Sequence, residues 1–173
     1  MQDDMQEKVY KVLFVCTGNS ARSIMAEALL TTMGKGRFKG YSAGSHPNGT
    51  VNPHAIEQVA ITGYPVSELR SKSWDEFGVA GAPQMDFIVT VCDNAAGATC
   101  PVWPGHPMSA HWGFEDPAAV TGTDEEKARH FNDALLTLKR RIDLMLALPL
   151  ARLDAMSLQH ELSEIGTTGR IEA

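Results

Sequence analysis

Tyr10-Lys11-Val12-Leu13-Phe14-Val15-Cys16-Thr17-Gly18-Asn19-Ser20-Ala21-Arg22-Ser23-Ile24-Met25 runs from an apolar stretch, through small residues, into a helical pattern. Tyr10–Val15 predicts a buried strand, and Ser23–Met33 predicts a helix stopped by Gly34 and Gly36. A cysteine and an arginine separated by five small or polar residues can wrap a loop around a tetrahedral oxyanion. Backbone N–H groups then point inward, Arg22 closes over the anion, and Cys16 lies beneath it as a nucleophile. An isolated pair at this spacing would read as a buried cysteine and a helix start. The strand, the small-residue loop and the Arg-Ser helix start occurring together favour the anion loop.

Outward from this stretch, strands and helices alternate. Phe38–Ala43 predicts a second strand, and Asn52-Pro53 caps and opens a helix that Gly63 ends. Ser73–Phe77 predicts a short helix and Met85–Val91 a central strand. Positions 92–107 are rich in Gly, Pro, Ala and Asn and read as a long functional loop, followed by a short strand at Ser109–Trp112. Thr123 and Glu126 have capping-box spacing, and Phe131, Leu135, Leu138, Ile142 and Met145 form one buried stripe of a long helix ended by Pro149. Leu150–Ile165 reads as a short additional helix, with a polar tail after Gly166. The expectation is an α/β domain, an open and mostly parallel four-stranded sheet with helices on both faces. It spans positions 9–148, between a polar extension (1–8) and a C-terminal extension (149–173). Ligands of such sheets bind at the carboxyl ends of the strands, where the Cys16 loop falls.

Composition narrows the function classes. The 173 residues are 43% hydrophobic and 21% charged, as in an ordinary globular protein, and the net charge of −6 argues against nucleic acid or an anionic membrane as partner. The polar, acidic start has neither the pattern of a signal peptide nor that of an anchor. No apolar run reaches the roughly 18 residues needed to span a bilayer, so a cytoplasmic protein is expected. Its three cysteines, Cys16, Cys92 and Cys100, are then expected to serve as buried hydrophobes, metal ligands or redox groups rather than structural disulfides.

The residue types of the loop suit thiolate chemistry. A helix N-terminus and a neighbouring arginine both favour the thiolate of Cys16, and Arg22 can present two parallel donors to an oxyanion. Gly18 and Asn19 suit positive backbone dihedrals, and Ser20 and Ser23 can donate hydroxyl hydrogen bonds to the sulfur. A leaving oxygen also needs a proton. Asp116, aimed by Pro117, is the candidate acid, and Glu115 reads as a solvated side chain.

Val15-Cys16-Thr17-Gly18-Asn19-Ser20-Ala21-Arg22-Ser23 resembles the signature loop of low-molecular-weight protein tyrosine phosphatases and of the arsenate reductases built on that fold. The likeness extends through Val91-Cys92-Asp93-Asn94-Ala95-Ala96, Cys100-Pro101 and His111-Trp112-Gly113-Phe114, covering roughly residues 9 to 147. It implies substrate binding by Thr17, Gly18, Asn19, Ser20, Ala21, Arg22 and Ser23, with Cys16 as nucleophile and Asp116 as acid. It further implies a thiol–disulfide cascade from Cys16 to Cys92 to Cys100. The substrate would be arsenate, with phosphate or sulfate as analogues. The reductant would be external, thioredoxin expected and glutaredoxin the alternative, with no tightly bound cofactor.

Departures from the family pattern sharpen these implications. The phosphatases typically place tyrosine after the Asp-Pro dipeptide, where this chain has Ala118-Ala119, which suits a bare oxyanion. Many also carry a second cysteine one position before the loop arginine, which is Ala21 here. Some members bind a potassium ion near the loop. Asn19, Glu27 and Ser42 stand at such ligand positions, but Ser73 stands where an acidic ligand is expected, so no tight cation site is expected. Three other readings stay open. One is hydrolysis of phosphomonoesters by Cys16, Arg22 and Asp116 alone, and another is a non-catalytic oxyanion or redox sensor. The third is a zinc site from Cys92, Cys100, His106 and His111, whose spacing fits no standard zinc pattern.

Overall fold

The computed structural model describes residues 8–91 and 107–167. Its centre is the strand β1 (Tyr10–Cys16), buried from Val12 onward, as expected of a parallel strand covered on both faces. β2 (Phe38–Gly44), β3 (Phe87–Thr90) and β4 (Met108–His111) complete a four-stranded sheet of order β2-β1-β3-β4, with every pairing parallel. The order reverses direction at β1, so the crevice beyond its carboxyl end is where this topology binds ligands.

Between β1 and β2 runs α1 (Arg22–Met33), which packs so closely on β2 that a Cβ at Gly40 would lie 2.6 Å from the Glu27 carbonyl oxygen. α2 (Pro53–Thr62) begins as its sequence dictates: Asn52 Oδ1 accepts from the His54 N–H, Pro53 takes the first turn, and Gly63 closes the helix at φ 89°. α3 (Asp124–Leu146) opens with the full capping box, Thr123 and Glu126 exchanging hydrogen bonds, and buries Phe131, Leu135, Leu138, Ile142 and Met145. α1, α2 and α3 pack on one another, while α4 (Ala155–Ile165) packs against β4 and α3.

Some boundaries differ from the sequence reading, each for a local reason. The strand expected over Met85–Val91 is a ladder only at Phe87–Thr90. Ahead of it, Asp86 turns back on β1, its N–H donating to the Lys11 carbonyl and its carboxylate accepting from the Lys11 N–H at 2.8 Å. Helix α4 starts only at Ala155, because the Asp154 carboxylate caps it by accepting from the Ser157 N–H at 2.7 Å. Ser73–Phe77 is a single 3-10 turn capped by Ser73. The long loop read at 92–107 lies, apart from Pro107, outside the described residues, as do Met1 to Glu7 and the tail from Thr168. Among the described residues no helix is long and apolar enough to cross a membrane.

Candidate active site

β1 delivers Cys16 to the carboxyl edge of the sheet, and the chain then loops through positions 17–21 into α1. The loop carbonyls are held from outside. Ser45, His46, Asn48 and Asn52 donate their N–H groups to the carbonyls of Cys16, Thr17, Gly18 and Ser20 at 2.8–3.1 Å. Carbonyls held outward leave the amides of such a loop free to face inward, the arrangement that binds an anion. Asn19 adopts φ 46°, and its N–H donates to Cys16 Sγ at 3.2 Å. No side chain caps the first turn of α1 at Ala21, so helix donors face the same concavity.

The small residues each answer a steric demand. A Cβ at Gly44 would lie 2.5 Å from the Thr17 carbonyl oxygen and 3.0 Å from the Asn19 nitrogen, so only glycine lets the end of β2 buttress the loop. Gly18 was expected to supply a positive φ, but among the loop residues that conformation belongs to Asn19. What restricts Gly18 is space: a Cβ there would meet Asn48 Nδ2 at 2.9 Å.

Ser23 Oγ lies 2.9 Å from Cys16 Sγ, and Asn19 Nδ2 donates to the same hydroxyl at 2.8 Å. A hydroxyl carries one hydrogen, so accepting from Asn19 leaves Ser23 free to donate to the sulfur. Donors directed at the sulfur stabilise thiolate over thiol. Ser20, the other hydroxyl considered for this task, instead accepts from Asn48 Nδ2 at 3.2 Å.

Across the concavity, Arg22 donates to the Phe114 carbonyl at 2.7 Å, and its other terminal nitrogen lies 3.6 Å from Asp116 Oδ2. Asp116 has the extended backbone that Pro117 imposes (φ −77°, ψ 112°). Its Oδ1 accepts from the Ala118 N–H at 2.9 Å, leaving Oδ2 turned to Arg22. The Asp116 segment is held from behind. Buried Arg141 of α3 donates to the Trp112 carbonyl at 2.6 Å and stacks over the Phe114 ring, and Trp112 Nε1 donates to the Leu162 carbonyl of α4. Ala118 and Ala119 are exposed, so no bulky side chain rises beside Asp116 at these two positions.

The structure therefore brings Cys16, Arg22, Ser23, Asn19 and Asp116 together. Cys92 and Cys100 lie outside the described residues. Val91, the residue before Cys92, donates its N–H to the Val15 carbonyl at 2.9 Å. For the zinc reading, Cys92, Cys100 and His106 are outside the described residues, and His111 shares a 2.5 Å hydrogen bond with Thr90. Among the described residues no cluster of three or more His, Cys, Asp or Glu side chains could hold a metal ion.

The sequence reading missed two supports. Ser71 Oγ donates to the Gly18 carbonyl at 3.2 Å, and Lys72 donates its N–H to Asn19 Oδ1 at 2.8 Å. Nothing in the Arg70-Ser71-Lys72 tripeptide signals that its lysine is buried.

The family model for low molecular weight phosphotyrosine protein phosphatase matches residues 11–155. An arsenate reductase of Halalkalibacterium halodurans is 39% identical over 138 residues, which is 80% of this chain and 94% of that protein. The crystal structure of an arsenate reductase from Archaeoglobus fulgidus superposes with TM-score 0.61 at 32% identity, covering 79% of this chain and 99% of that one. An arsenate reductase in the phosphate-binding state superposes with TM-score 0.60 at 27% identity over 80% of this chain and 97% of its own. The family match takes in the anion loop, Asp116 and nearly all of the sheet, and ends at the first residue of α4. By that match and by its 39% identical relative, the chain belongs to the low molecular weight phosphotyrosine protein phosphatase family.

Proposed function

We propose that this protein reduces arsenate to arsenite, with Cys16 as the nucleophile of a three-cysteine cascade. The observation that carries the reading is the meeting of a hydrogen-bonded sulfur, an arginine and a carboxyl at the end of β1. Arsenate would bind the loop amides and Arg22, displacing the Arg22–Phe114 contact or sharing it. Cys16 thiolate attacks arsenic, forming an S–As bond, while Asp116 gives its proton to the departing oxygen, which leaves as water.

The second step is redox. Cys92 thiolate attacks Cys16 Sγ, a Cys16–Cys92 disulfide forms as the S–As bond breaks, and the electron pair of that bond passes to arsenic, which falls from As(V) to As(III) and leaves as arsenite. Cys100 thiolate then attacks Cys92, releasing Cys16 thiolate and leaving a Cys92–Cys100 disulfide. An external dithiol, thioredoxin or alternatively glutaredoxin, takes that disulfide back to two thiols. Support for this assignment comes from the arsenate reductase named above, to which the chain is 39% identical over 94% of that protein's length, and from the exposed alanines beside Asp116. Phosphate and sulfate are the expected competing anions.

Arsenate-dependent NADPH oxidation with thioredoxin and thioredoxin reductase tests the reading. Turnover should require Cys16, Cys92 and Cys100. Consumption of a phosphate monoester alone, with Cys92→Ser and Cys100→Ser fully active, would assign the protein to hydrolysis instead. Turnover of neither substrate would leave an oxyanion or redox sensor.

A further inference from the structure

Behind the anion loop lies a buried polar cluster that the reaction above does not use. Lys72 Nζ has an 8% exposed side chain and sits among four oxygens: the Arg70 carbonyl at 2.8 Å, Ser42 Oγ at 3.2 Å, Asn19 Oδ1 at 3.5 Å and Glu27 Oε1 at 3.8 Å. Glu27 is equally enclosed, and its carboxylate also accepts from Ser42 Oγ at 2.5 Å and from the Tyr64 hydroxyl at 3.0 Å. Burying an ammonium is costly unless it is paired and hydrogen-bonded, and here both conditions are met. Asn19, Glu27 and Ser42 are the residues at which a potassium ion would be sought. They do not fit one, because the lysine nitrogen already lies among their oxygens.

The same cluster leads to the nucleophile. The Lys72 N–H and ammonium both face Asn19 Oδ1, which fixes the side-chain amide with Nδ2 toward Ser23. Ser23 in turn faces Cys16 Sγ at 2.9 Å. We propose that the Lys72 ammonium is a tethered substitute for a bound monovalent cation, filling this oxygen cradle and, through Asn19 and Ser23, holding Cys16 as thiolate. Lys72 is thus a positioning residue, and the inference rests on the reading of Cys16 as the nucleophile. Burial lowers the Lys72 ammonium from its ordinary value. Glu27 opposes that shift, Arg70 adds to it, and Glu76 and Cys16 oppose it more weakly.

The test follows the rate of Cys16 alkylation by iodoacetamide against pH, read from the mass of the Cys16 peptide, which requires no assumption about arsenate. In the wild-type protein the midpoint, and arsenate turnover, should be the same in potassium chloride and in tetramethylammonium chloride at equal ionic strength. Lys72→Met should raise the midpoint by about one pH unit, making alkylation about tenfold slower below it. Lys72→Ala, which opens the cradle, should show a similarly raised midpoint that potassium, but not tetramethylammonium, brings back toward wild type. A potassium-dependent wild-type midpoint overturns the proposal, and this comparison needs no variant to fold. An unmoved midpoint in Lys72→Met, or a Lys72→Ala midpoint blind to potassium, overturns it equally. Loss of arsenate turnover with these alkylation results intact would count against the substrate alone.

Discussion

Removing the Ser23 hydroxyl isolates one hydrogen-bonded contact of the Cys16 sulfur. Ser23 is fully buried and its oxygen lies 2.9 Å from Cys16 Sγ, within reach of a charge-assisted hydrogen bond. Such bonds contribute about 1.5–3 kcal/mol, and one pKa unit corresponds to about 1.4 kcal/mol, so Ser23→Ala should raise the thiol midpoint by about 1–2 units. The Asn19 N–H, 3.2 Å from the sulfur, and the start of α1 remain, which places the shift nearer the lower figure. The variant also orphans Asn19 Nδ2, a buried donor whose loss of an acceptor costs about 1–3 kcal/mol, or a melting point lower by several degrees. Alkylation of the Cys16 peptide across pH and a thermal melt read the two effects separately. A lowered melting point with an unmoved alkylation midpoint would refute the reasoning, because Ser23 would then be only a structural partner of Asn19.

Three further outcomes follow from the geometry. Asp116→Asn removes the carboxyl 3.6 Å from Arg22 that we propose as the proton donor, and kcat for arsenate should fall about 10²–10⁴-fold while Cys16 alkylation by iodoacetamide keeps its rate; an unchanged kcat would remove Asp116 from that role. Gly44→Ala places a Cβ 2.5 Å from the Thr17 carbonyl and should displace the loop, raising the half-saturating arsenate or phosphate concentration at least tenfold, which anion-binding calorimetry would measure. Arg70 hydrogen-bonds Glu76 and holds its carboxyl below the usual glutamate value, so the pair stabilises the fold above pH of about 4.5 and that contribution is lost as pH falls through the lowered value. Both side chains are more than a third exposed, so the advantage over Glu76→Gln at pH 7 should stay under about 1 kcal/mol in chemical denaturation and diminish as the pH falls below the ordinary glutamate value.

The parts of the fold legible in the sequence are those fixed by short-range chemistry. Asn52-Pro53, Gly63 and the Thr123–Glu126 box cap helices through residues adjacent in the chain, and the structure shows each cap. The apolar run of β1 reads as a parallel strand because both of its faces are covered. Strand ends were less legible, since pairing partners set them: Asp86 ends the β3 ladder through Lys11, a residue 75 positions away. Cys16, Arg22 and Ser23 could be found because one turn of chain brings them together. Lys72 could not, for its burial is decided by Asn19, Ser42 and Glu27, residues from three other places in the sequence. The role given to Gly18 failed for a similar reason, its constraint coming from Asn48 across the loop rather than from its own backbone angle.

A single turnover without any external reductant tests the central claim most directly. Fully reduced protein is mixed with excess arsenate, arsenite is quantified, and the disulfides are mapped by peptide mass. The account predicts one arsenite per protein chain, a Cys92–Cys100 disulfide, and Cys16 recovered as a free thiol. Cys92→Ser should yield no free arsenite, and Cys100→Ser should stop with Cys16 and Cys92 joined. Arsenite released by a protein lacking Cys92, or no arsenite from the intact chain, would contradict it.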